Sequence, residues 1–158
     1  MNSELLVQLR CTAVQIHQKL ICSSQSENGL DMTGILLVLD YVLVRQALKI
    51  QIELEGNLKV IGEAEDCYTA CQMAQSLDPD VIIIDLDSDN LDGFEVAREL
   101  AQRQPHIPLI ILYSKDDPLR RALLQELGSL KLVLKHPNTT ALIEAIHHSA
   151  REHTSAVG

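Results

Sequence analysis

Five short apolar runs constrain this chain more than any other feature: ILLVL (35–39), KVIGEA (59–64), VIIID (81–85), PLIILY (108–113) and KLVLK (131–135). Side chains alternate along a strand, so a run with no polar face suits a strand buried on both sides. Stretches of helical period lie between and after the runs, at 42–54, 66–77, 94–104, 117–127 and 138–150. In the first of these, Leu43, Ala47, Ile50 and Leu54 mark an apolar stripe. Asp66 stands as a cap, Pro118 in a first turn and Gly128 just past a helix end. Strands alternating with helices require right-handed crossovers, which gives an α/β fold with a doubly wound parallel sheet.

In such sheets functional groups collect beyond the carboxyl ends of the strands. The first strand ends at Asp40, the third at Asp85, the fourth at Tyr113 and Ser114, and the fifth at Lys135. Two acids, hydroxyls and a lysine therefore converge on one edge.

Residues 3–22 read as a separate helix, with Ser3 as cap and Leu6, Leu9, Ala13, Ile16 and Leu20 at 3-4-3-4 spacing. A helix of this kind is marginal in isolation, and it either docks on its own domain or meets a partner. The polar stretch SSQSENGLDMTG follows as a linker. The expected organisation is a helical extension and linker at 1–33, one domain at 34–150 and a tail at 151–158. Eight residues after Ala150 are too few for a further domain, so the chain is expected either to work alone or to have lost a DNA-binding portion.

Thirteen basic residues against 22 acidic ones give a net charge of −9, which opposes direct binding to nucleic acid. No apolar run reaches the ~18 residues of a membrane span, and MNSELLVQLR is no secretory signal. A cytoplasmic protein is expected. The four cysteines (Cys11, Cys22, Cys67, Cys71) form no C-x-x-C pair and read as small hydrophobes. His147 and His148 cannot share a helix face, and with His153 they read as a solvated helix end, while His106 and His136 fall in loops beside prolines.

The stretch VIIIDLDSDNLDGFE (81–95) permits three chemistries. A calcium loop counted from Asp85 fits through Asp87 and Asp89, but its sixth and twelfth positions are Asn90 and Val96 in place of Gly and Glu. A haloacid-dehalogenase-type phosphatase also puts D-x-D after an apolar strand, with nucleophile and general acid. Its late metal-binding acids have no counterpart here, since nothing acidic follows Lys135 at a strand end.

The third reading spans the chain from Gly34 to Ala150. ILLVLDY, VIGEAEDCYTACQMA, DPDVIIIDLDSDNLDGFEVARELAQ, PLIILYS and LGSLKLVLK resemble response-regulator receiver domains, most closely receivers that precede a helix-turn-helix output of LuxR type. The resemblance implies a flavodoxin-like, five-stranded sheet of order 2-1-3-4-5, with the N-terminal helix extra to it. It implies a two-component signalling module, not an enzyme, with Asp85 as phosphoacceptor from a histidine kinase or phosphotransfer protein. It implies Mg²⁺ held by Asp40, Asp85 and the backbone carbonyl of Asp87, with Lys135 pairing a phosphoryl oxygen. Asp92-Gly93 matches the family's turn into the third helix, with Gly supplying backbone freedom.

The departures from the receiver pattern are specific. The first of two adjacent acids after the first strand is Leu39, and the signalling Thr or Ser is Tyr113, with Ser114 one place later to bind the phosphoryl group. The aromatic switch on the fifth strand is Leu132, and Asp89 replaces the usual Pro. The Asp87 side chain adds a charge beside the acceptor that would hold water near an acyl phosphate. These losses leave open a phosphorylation-independent pseudo-receiver that acts by docking. The surfaces for dimerisation or docking are the N-terminal helix and the face of the fourth helix, fifth strand and fifth helix, where Arg120 and Arg121 read as surface charge.

Overall fold

A computed structural model describes residues 31–128, 130–135 and 139–157. The helix expected over 3–22 and the loop residue His136 lie outside the described residues. The described chain runs β1 (Thr33–Val38), α1 (Val42–Glu53), β2 (Leu58–Ala64), α2 (Cys67–Leu77), β3 (Val81–Asp85), α3 (Gly93–Arg103), β4 (Leu109–Tyr113), α4 (Pro118–Gln125), β5 (Leu130–Leu134) and α5 (Thr140–Val157). All neighbouring strands are parallel, in the order β2-β1-β3-β4-β5.

Strand alternation splits each apolar run between two cores. Leu36, Val38, Ile82, Ile84 and Ile111 pack under α2, α3 and α4, against Ala70, Ala97, Leu100 and Leu124. Ile35, Leu37, Leu39, Ile83 and Ile110 pack on the other face, against Ile52 of α1 and Leu142 and Ile146 of α5. This is why the strands read as continuous rather than alternating.

Three expectations are corrected. In α1, the stripe Leu43, Ile50 and Leu54 faces outward, with Leu43 80% exposed. The helix buries Ile52 and half-buries Arg45 and Leu48 instead, because α1 carries apolar residues on two faces and only one meets the sheet. The final helix passes Ala150 and continues to Val157, so residues 151–157 are helix and not a tail. His153 is no solvated end: its side chain is largely buried, lies 3.7 Å from Asp80 and stacks on His106. His148 does sit outside, against Lys131 and Glu152.

Local chemistry sets the helix starts. Asp66 accepts from the N–H of Thr69 at 2.8 Å, Asp92 from those of Phe94 and Glu95, and Asp117 from those of Leu119 and Arg120. Each satisfies donors that the first helical turn leaves orphaned.

Candidate functional site

β1, β3, β4 and β5 end on one edge, and a cleft of about 500 Å³ opens there between α1 and the start of α5. Asp85, Asp87, Ser114 and Lys135 line it, together with apolar side chains such as Val44, Leu48 and Leu142. Asp85 is 2% exposed as the last residue of β3. Its Oδ1 pairs with the Lys135 ammonium and accepts from the N–H of Asp87 at 2.9 Å. A carboxylate this buried needs such partners to offset the cost of removing it from water.

The Asp87 carboxylate points inward. Its Oδ2 accepts from the backbone N–H of Ser114 and stands 3.8 Å from Lys135 Nζ. One lysine therefore serves two acids. The expected side-chain charge beside Asp85 is present, but it is held by protein donors.

Asp40 sits beyond β1, where the loop after β3 folds over it. Its Oδ2 accepts from the Asn90 N–H at 3.0 Å and from the Asn90 side-chain amide at 3.3 Å. Its Oδ1 is buried with no hydrogen-bond partner. Burial opposes ionisation of this carboxyl, but the donors around it, led by the Asn90 N–H, hold it below the usual carboxylate value. Next to it the Tyr41 hydroxyl bonds the Asp89 carboxylate, and this bond, with partial burial and the nearby acids, raises the Tyr41 pKa.

Leu39 takes no part in the site. It is fully buried in the α1/α5 core, and its carbonyl accepts from Arg45, whose Nε also pairs with Glu63 at 3.0 Å. Tyr113 turns to the other side of the sheet. Its hydroxyl accepts from Arg121 at 3.3 Å, in a small cleft that also includes Leu86, Leu124 and Leu132. Leu132 and Tyr113 both line that cleft. Arg121 also pairs with the exposed Asp116 at 2.9 Å. Ser114, not Tyr113, lines the acceptor cleft.

Gly93 follows a different rule from the one expected. It has no positive φ, so backbone freedom is not its role. A Cβ there would stand 2.4 Å from the Asp85 carbonyl oxygen and 2.8 Å from Leu86 Cα. Glycine lets α3 start directly against the acceptor's own backbone.

Among the described residues no three His, Cys, Asp or Glu side chains gather as a metal cluster. A two-carboxylate set completed by a carbonyl and waters needs no such cluster, and the orphaned Asp40 Oδ1 suits a hard cation. Asn90, the Tyr41–Asp89 bond and the inward turn of Asp87 left no signal in the sequence, because each depends on the path of the loop after β3.

Residues 35–147 match the family model described as response regulator receiver domain. The chain is 30% identical to the transcriptional regulatory protein DegU of Brevibacillus brevis over 112 residues, 71% of this chain and 48% of that protein. It spans about half the length of the curated relatives it matches. The response regulator domain of CheB from Thermotoga maritima superposes with a TM-score of 0.67 at 26% identity, covering 76% of this chain and 97% of that one. A LuxR-family two-component response regulator from Aurantimonas sp. SI85-9A1 shares the fold, with a TM-score of 0.71 at 24% identity over 77% and 86% of the two chains.

Proposed function

The chain belongs to the response regulator receiver family, and from that premise we propose that it accepts a phosphoryl group on Asp85 and signals through protein contacts. The donor is a histidine kinase or a phosphotransfer protein. Membership of this family also sets aside the phosphatase reading of the D-x-D pair.

The observation that carries the proposal is the setting of Asp85: a nearly inaccessible carboxylate at a strand end, paired with a lysine, in an open cleft. An Asp85 oxygen attacks the phosphorus of a phosphohistidine whose second ring nitrogen is protonated. The P–N bond breaks, neutral imidazole leaves with the electron pair, and an acyl phosphate forms. Lys135 balances charge on a phosphoryl oxygen. Asp40, Asp85 and the Asp87 carbonyl would hold Mg²⁺, which supplies positive charge where anions must meet. Ser114 faces the same cleft and offers its hydroxyl in the role usually given to the residue before it.

The exposed stripe of α1, Leu43, Ile50 and Leu54, supports a docking surface beside the cleft, fitted to an apolar helix of a partner. Named relatives include transcriptional regulators, so a DNA-binding output reached through the α4/β5/α5 face is consistent with this reading. A second reading is favoured by Asp87, whose carboxylate already engages Lys135 and Ser114. In that reading the domain docks constitutively without modification.

Incubation with Mg²⁺ and saturating acetyl phosphate separates the two. We expect a single phosphoryl adduct by intact-mass measurement in the wild type and none in Asp85→Asn. Absence of an adduct from both the wild type and a chain with Asp87 replaced by alanine overturns the phosphoacceptor reading and leaves the docking module.

A further inference from the structure

We infer that the Asp87 carboxylate is a built-in surrogate for the phosphoryl group, and that Asp85 can be phosphorylated only when Asp87 is displaced. This deepens the phosphoacceptor reading above and rests on it. A phosphoryl group on Asp85 needs a cation and N–H donors within reach in the cleft. Lys135 is the cation among the cleft's described lining residues. It is shared already, paired with Asp85 and 3.8 Å from Asp87. The Ser114 N–H, at the mouth of the cleft, donates to the Asp87 carboxylate. An anion two residues along the chain thus holds one of the groups that an incoming phosphoryl group would use and stands beside the other.

Two consequences follow from the geometry. The Asp87 carboxylate competes with the donor for Lys135 and Ser114, so transfer to Asp85 is slow. The loop after β4 is also drawn toward the acceptor before any modification, because Ser114 is anchored to Asp87. Phosphorylation exchanges one anion for another at that anchor and does not create the contact. Asp87 is a positioning residue in this role, separate from the metal-facing part of its backbone carbonyl.

The neighbouring acid Asp89 provides a matched control. It carries the same charge but bonds the Tyr41 hydroxyl and not Lys135 or Ser114. The experiment follows adduct formation from acetyl phosphate with Mg²⁺, in which the P–O bond to the acetyl group breaks and acetate leaves. Wild type, Asp87→Ala, Asp87→Asn and Asp89→Asn are compared by rate. The expected result is an acceleration on the order of tenfold in Asp87→Ala. Asp87→Asn should be intermediate and Asp89→Asn close to wild type.

The Ser114 amide proton, followed by NMR, reports the contact itself. It should shift upfield in Asp87→Ala and return downfield when beryllofluoride is added. Equal rates in wild type and Asp87→Ala, an equal gain from Asp89→Asn, or an unmoved Ser114 amide would each overturn the inference while leaving the phosphoacceptor reading intact. Failure of both wild type and Asp87→Ala to take up the group would instead overturn the phosphoacceptor reading itself.

Discussion

Replacing Gly93 by alanine tests how closely α3 is seated on the acceptor. An added Cβ meets the Asp85 carbonyl oxygen at 2.4 Å, Leu86 Cα at 2.8 Å and the Asp85 carbonyl carbon at 3.1 Å. All three are backbone atoms of the β3–α3 connection, so no side-chain rotation can relieve them. Restoring ordinary contact at about 3.5 Å requires the helix start and the acceptor backbone to separate by roughly 1 Å. Overpacking of this kind costs about 1–3 kcal/mol. Alanine returns at most about 1 kcal/mol through its helix propensity, and less in a first turn. The net expectation is a destabilisation of about 1–2 kcal/mol, or a fall in Tm of roughly 3–8 °C for a domain of this size. Urea denaturation followed by circular dichroism measures the first, and calorimetry the second. The same displacement would carry Asp85 away from Lys135 and slow adduct formation. A Gly93→Ala chain as stable as wild type, or more stable, would refute the close-contact reasoning and leave only propensity.

Two other perturbations have definite outcomes. Asp66→Ala removes the acceptor for the Thr69 N–H at the start of α2 and should cost about 1 kcal/mol at pH 7. The Thr69 N–H, then its hydroxyl, hold the Asp66 carboxyl below its ordinary value of 3.8. A depressed carboxyl contributes stability above the unfolded pKa and loses it as pH falls through the folded one, so the gap between wild type and variant should close below about pH 4. Denaturation curves at pH 7 and pH 3 would show it, and a constant gap would count against the cap. Burial, with Cys71 beside it, raises the Cys67 thiol to about 11. Iodoacetamide at pH 8 should therefore label Cys67 slowly in the folded chain and rapidly in urea, as read by peptide mass mapping.

How much could be read in advance depended on what fixed each residue. The order of strands and helices was legible because both faces of this sheet are covered, which forces unbroken apolar runs such as VIII before Asp85. Asp85 and Lys135 followed from position alone: a residue that ends a parallel strand emerges at the functional edge whatever its neighbours do. Their pairing in the structure agrees with that placement.

Residues off the strands behaved otherwise. α1 carries two apolar stripes, and periodicity alone could not say that Leu48 and Ile52 meet the sheet while Leu43, Ile50 and Leu54 remain outside. The last turns of α5 set His153 against Asp80 and His106, partners supplied by distant segments. Asp87 could have faced water; the Ser114 N–H and the Lys135 ammonium, brought in by β4 and β5, turned it inward. Tyr113 lies away from the acceptor, where α4 offers Arg121 as a donor to its hydroxyl. The amino-acid sequence by itself determined the sheet and the place of its reactive edge, because burial acts on every residue of a strand. Only the tertiary structure decided where the polar side chains around that edge point, because their donors and acceptors come from strands far apart in the chain.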